Sequence, residues 1–96
     1  MAFAARKHDD GTWRLCKRMG DTILRIHGKW PHISPKFASQ AKTKACADEL
    51  NERFWTEYDR HERKHKDQPN PLFWELIEVI YQHGGLTDAE YKEITQ

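Results

Sequence analysis

The stretch from Thr12 to Ile26, TWRLCKRMGDTILRI, constrains this chain more than any other. It reads as two short strands around a Gly20–Asp21 turn, because glycine first in a two-residue loop suits a type II′ hairpin. That register sets Leu15 opposite Ile26, Cys16 opposite Arg25, Lys17 opposite Leu24 and Arg18 opposite Ile23. Opposed residues share a face, and faces alternate along a strand. One face then carries Trp13, Leu15, Met19, Leu24 and Ile26, with Lys17 its only charge. The other carries Arg14, Arg18, Arg25 and His27 around Cys16 and Ile23. The apolar face needs a cover, and the basic face attracts an anion.

The flanking residues extend this pattern. Phe3 to Lys7 reads as a first strand leading into Asp9-Asp10-Gly11, a turn signal. A three-residue loop ending in glycine sets Ala5 opposite Leu15 and Arg6 opposite Arg14. Phe3 and Ala5 then join the apolar face and Arg6 joins the basic one, whereas a two-residue Asp10-Gly11 loop would bury Arg6. After Ile26, Pro31 and Pro35 argue against a central strand. The segment is expected to be a loop that brings Trp30, Ile33 and Phe37 onto the core.

Ser39 is a suitable N-cap for one helix from about Gln40 to Lys64. Ala41, Ala45, Ala47, Leu50, Phe54 and Tyr58 recur at near-helical spacing, with Trp55 on the flank. Glu49–Arg53, Asp59–Arg63 and Glu62–Lys66 are i,i+4 pairs. The run to Asn70 is polar and ends Gln-Pro-Asn-Pro, a helix end and linker. Pro71 suits the first position of a new helix. Leu72, Phe73, Leu76, Ile77 and Ile80 form its stripe, with Tyr81 beside it, and Gly84-Gly85 ends it. Thr87-Asp88-Ala89-Glu90 is a capping box opening a last helix with Tyr91 and Ile94 inward.

The expected architecture is α+β: a small antiparallel sheet of two or three strands packed on one long helix, followed by a C-terminal helical hairpin. Residues 1–66 form the sheet-plus-helix domain, 67–70 a linker and 71–96 the hairpin. The expected core is Trp13, Leu15, Leu24, Ile26, Phe37, Leu50 and Phe54. An apolar fraction of 38% allows a modest core in 96 residues. One short hairpin covers little of its own stripe, so Leu76, Ile77, Ile80, Leu86 and Tyr91 are expected to build a homo-oligomer interface.

The net charge of +1 hides a polarity. Residues 1–44 hold ten Lys or Arg against three acids, giving +7, and residues 45–96 hold six against twelve, giving −6. A basic half points to a nucleic-acid or other anionic partner, unless the halves neutralise each other in the fold. The expected contact residues are Arg6, Arg14, Arg18, Arg25, His27 and Lys29. Arginine offers phosphate or guanine a bidentate fork, and acids are absent from the face so drawn.

The chain up to about Arg60 resembles the small N-terminal domain of lambda-type tyrosine integrases. The likeness rests on Asp10-Gly11-Thr12-Trp13 leading into a strand, on the Gly20–Asp21 turn, and on Phe37, Ala38, Ser39, Ala41, Cys46 and Leu50 at the start of the helix. Such domains bind arm-type DNA sites by inserting a three-stranded sheet into the major groove. The resemblance implies that Arg14, Arg18 and Arg25 face duplex DNA. The loop from His27 to Lys36 is longer and richer in proline than that pattern, which leaves the third strand open. The C-terminal part resembles the short C-terminal oligomerisation (SHOCT) domain, through Leu76, Ile77 and Ile80 followed by Gly84-Gly85-Leu86-Thr87-Asp88-Ala89-Glu90-Tyr91. That likeness implies an oligomer.

Other chemistries find less support. His61 and His65, four apart on a helix, can chelate a metal, yet no Cys or carboxylate cluster with zinc-finger spacing joins them. His27 and His32 only flank Trp30. No nucleophile motif, phosphate loop or glycine fingerprint is present, so neither enzyme activity nor a cofactor or metal is expected. No apolar run reaches the roughly 20 residues of a membrane span. The start, MAFAARKHDD, lacks an apolar signal region, and Cys16 and Cys46 form no CxxC. Free thiols in the cytoplasm are the default, and a Cys16–Cys46 disulfide is the alternative.

The functional expectation is a non-enzymatic module of phage or mobile-element type that binds duplex DNA through the basic face. The alternative is an inhibitor or adaptor of anti-CRISPR-like type that occludes a host protein. It would use the acidic helix (Glu49, Glu52, Glu57, Asp59, Glu62) and the aromatic hairpin.

Overall fold

The computed structural model describes residues 3–16, 24–25, 32–33, 35–64 and 71–96; for 24–25, 32–33 and 62 the description is of the backbone. The chain is α+β. Strands β1 (Ala4–Lys7), β2 (Trp13–Cys16) and β5 (Lys36–Phe37) form an antiparallel sheet in the order β1-β2-β5. β3 (Leu24–Arg25) and β4 (His32–Ile33) form a separate two-stranded ladder. Helices α1 (Gln40–Arg53), α2 (Trp55–Lys64), α3 (Phe73–Gln82) and α4 (Asp88–Thr95) follow. No helix among the described residues is long and apolar enough to cross a membrane.

The first hairpin has the expected register, with Ala5 opposite Leu15 and Arg6 opposite Arg14. The loop is Asp9-Asp10-Gly11, closed by the His8 N–H on the Thr12 carbonyl at 2.9 Å. Gly11 has φ +82°, which only glycine adopts without strain. The hydrophobic pattern had selected the three-residue loop, and the structure places Leu15 and Phe3 in the core.

The second hairpin is different. β2 does not pair with Leu24–Arg25. Its free edge takes β5, with Trp13 opposite Phe37 and Arg14 opposite Lys36, and the Leu15 N–H reaches the Pro35 carbonyl at 3.4 Å. A strand has two edges, and with β1 on one and β5 on the other, β2 pairs with no part of β3. Leu24 and Arg25 pair instead with Ile33 and His32. The Gly20–Asp21 turn, Ile26 and Trp30 lie outside the described residues. The segment expected to be a proline-rich loop thus supplies two short strands. Pro35 is tolerated because it contributes a carbonyl, not the N–H it lacks.

Ser39 caps α1 as expected, accepting from the Lys42 N–H at 3.2 Å. The expected single helix to Lys64 is broken at Phe54, where φ −124° leaves the helical region. The Phe54 N–H still bonds Leu50 and its carbonyl still accepts from Tyr58, so the ladder is kept while the backbone is redirected. Leu50, Phe54 and Tyr58 are all buried.

α3 begins two residues after Pro71 and ends in a Schellman motif. The Gly85 N–H bonds the Ile80 carbonyl at 2.8 Å, the Gly84 N–H bonds Tyr81 at 3.0 Å, and Gly84 has φ +88°. Thr87 and Glu90 form the expected capping box on α4.

The hairpin packs on the first part of the chain. Leu76, Ile77, Ile80 and Leu86, expected at an oligomer interface, are buried in one cluster with Phe3, Leu15, Phe37, Leu50 and Phe54; Tyr91 packs against it half-buried. The stripe is therefore already covered within one chain, which removes the reason given for an oligomer. Trp13 is half-buried rather than core. Cys16 and Cys46 are both buried and form no disulfide. Burial, together with the Glu49 charge, pushes the Cys46 thiol up to about 12.

Candidate nucleic-acid interface

Strand pairing places Arg6, Arg14 and Lys36 in one row across the sheet, one residue per strand. Leu15 and Phe37, their chain neighbours, are buried under the helices. By alternation the basic row lies on the opposite face. Adjacent strands lie about 4.8 Å apart, so the row spans roughly 10 Å. Arg6 and Lys36 are exposed. Lys36 was not foreseen, since its place depends on the β2–β5 pairing and no local pattern marks it.

Arg14 is held. Its Nε donates to Thr12 Oγ1 at 2.9 Å and its Nη2 to Asp10 Oδ2 at 3.0 Å, and its side chain is only 17% exposed. Asp10 Oδ1 accepts from both the Thr12 hydroxyl and the Thr12 N–H. Those two bonds, and then Arg14, hold the Asp10 carboxyl far below the usual carboxylate value. The expectation that no acid lies on this face is corrected: the turn that sets the register also supplies Asp10. The spacing Asp10–Thr12 carried the signal, because aspartate in a turn bonds the backbone two residues on.

Of the other expected contacts, Arg25 is on β3, whose backbone pairs with β4 and not with the strands of the row. Arg18, His27 and Lys29 lie outside the described residues. So does His65, and with it the His61–His65 reading. Cys16, drawn at the centre of the basic face, is fully buried.

Part of the acidic side of α1 and α2 is locally compensated. Lys44 meets Asp48 at 3.3 Å, Arg53 meets Glu49 at 2.7 Å and Arg63 meets Asp59 at 3.0 Å. Glu49 also bonds His83 Nε2 at 2.9 Å, which ties α1 to the end of α3. None of the protein families, curated proteins or solved structures compared with the chain matches it.

Proposed function

We propose that this protein is a non-enzymatic duplex-DNA-binding module that contacts phosphates through the outer face of its sheet. The cross-strand row Arg6–Arg14–Lys36 carries the reading. Arg6 and Lys36 are exposed cations on the two outer strands, suited to phosphate oxygens. Arg14, tied to Asp10 and Thr12, keeps the row in register. The alternative, occlusion of a protein by an acidic helix, is weakened by the ion pairs at two of its five acids, Glu49 and Asp59.

The test is a fluorescence titration with plain duplex DNA across a range of salt. Each phosphate neutralised contributes about −0.9 to the slope of log affinity against log salt. Arg6→Ala and Lys36→Ala should each weaken binding and flatten that slope by about 0.9. The reading is lost if duplex DNA does not bind at low salt, or if the double variant binds as tightly as the parent.

A further inference from the structure

The surface of α3 and α4 differs in kind from that of α1 and α2. Trp74 is 55% exposed and stands out as an exposed large hydrophobic side chain among the described residues. It leans on Phe73, with ring centroids 4.8 Å apart. Glu78 lies four residues on and Tyr81 seven, so the three share one face of α3. Tyr91 of α4 stacks on Tyr81 with centroids 4.0 Å apart and planes 13° apart. The Tyr81 hydroxyl donates to Asp88 and the Tyr91 hydroxyl to Glu78. Both phenols are raised above their ordinary value, first by those bonds, and so remain neutral donors.

Among the described residues, no ion pair compensates the charge of this surface. Glu75, Glu78, Asp88, Glu90 and Glu93 are all exposed, and Lys92 is the sole Lys or Arg of residues 71–96. Every ion pair at Asp48, Glu49 and Asp59 has its counterpart on α1, α2 or the end of α3. None joins these five carboxylates to a cation among the described residues.

We propose that the Trp74–Glu78–Tyr81 face of α3, extended by Tyr91 and Asp88 of α4, is a docking surface for an arginine-bearing segment of another protein. An indole attracts a guanidinium over its ring, and the flat guanidinium stacks there while its N–H fork reaches a carboxylate. Glu78, four residues from Trp74 on the same face, stands where such a fork reaches it, and Glu75, next in the chain, adds negative charge from the adjoining face. A purely apolar partner would bury Glu78 and Asp88 without a counter-charge, which costs more than the contact returns. This surface shares no residue with the basic row, so the proposal stands apart from the DNA reading.

A fluorescein-labelled nona-arginine peptide is the probe, titrated into the full chain at low salt and followed by anisotropy, with a nona-lysine peptide alongside. The arginine peptide should bind more tightly than the lysine one. Trp74→Ala should weaken binding about fivefold. Glu75→Gln with Glu78→Gln should weaken it about tenfold. Glu52→Gln, on α1, should leave it unchanged. All these side chains are exposed, and far-ultraviolet circular dichroism checks that the fold persists. Absence of binding overturns the proposal. So does loss on removing the carboxylates but not Trp74, which would mark a diffuse charge effect. Self-association abolished by Trp74→Ala would replace the partner with a second copy and overturn it too.

Discussion

Leu15 is the residue on which the sheet and the helices converge. It is fully buried, and its neighbour Trp13 is only partly covered. Leu15→Ala should cost roughly 2–5 kcal/mol, read as a lower urea midpoint with an unchanged slope. Gly85 is constrained by contact rather than by φ. A Cβ there would stand 2.4 Å from the Phe37 ring and 2.7 Å from Ile80, so Gly85→Ala should destabilise by about 1–3 kcal/mol. At Cys46 the raised thiol and the complete burial act together. It should resist an alkylating reagent at mildly alkaline pH and react once denaturant is added. Mass spectrometry of native and unfolded samples reads this directly.

At the scale of elements, β1 and its protection are the instructive case. The Leu15 N–H turns toward β5, so Arg14 and Cys16 turn theirs toward β1. By the same alternation the main chain of Phe3, Ala5 and Lys7 faces outward. Asn51 of α1 takes the Phe3 position: its Oδ1 accepts from the Phe3 N–H and its Nδ2 donates to the Phe3 carbonyl, each at 2.9 Å. One side-chain amide thus stands in for a further strand. An open edge is a template for self-pairing, and this contact shortens it. Asn51→Ala should cost about 1–3 kcal/mol, because it leaves two backbone groups beside the core without a partner. The check is a thermal melt, with light scattering to detect pairing through the freed edge.

For the molecule as a whole, the Glu49–His83 contact joins sequence positions 34 apart and clasps α1 to the end of α3. The bond to His83, then that to Arg53, holds the Glu49 carboxyl below its ordinary 4.5. A carboxylate lowered in the folded chain stabilises it at every pH above the unfolded value. That contribution is lost as pH falls through the folded value. Stability should therefore decline as pH drops below about 4.5, and Glu49→Gln should flatten this part of the acid limb in urea melts. The burial of Leu76, Ile77, Ile80 and Leu86 within the chain also predicts a monomer by sedimentation at micromolar concentration. An oligomer there would mean that another surface associates.

The sequence by itself determined whatever depends on neighbours along the chain. The Asp9-Asp10-Gly11 loop and its register follow from alternation plus a glycine at positive φ. The Ser39 cap, the Gly84–Gly85 stop and the Thr87–Glu90 box follow from backbone groups that a helix end must satisfy nearby. Only the tertiary structure decided which strand took the free edge of β2. Gly20–Asp21 is a sound local turn signal, but choosing β5 over the Leu24–Arg25 segment is a competition between distant pieces of chain. No periodicity in Thr12–Ile26 carries the outcome. Lys36 entered the basic row, and Arg25 left it, through that one pairing. The hairpin shows the same division: its apolar stripe was plain in the sequence, yet an apolar stripe does not say whether another chain or its own covers it. Here Phe37, Leu50 and Phe54 share its core.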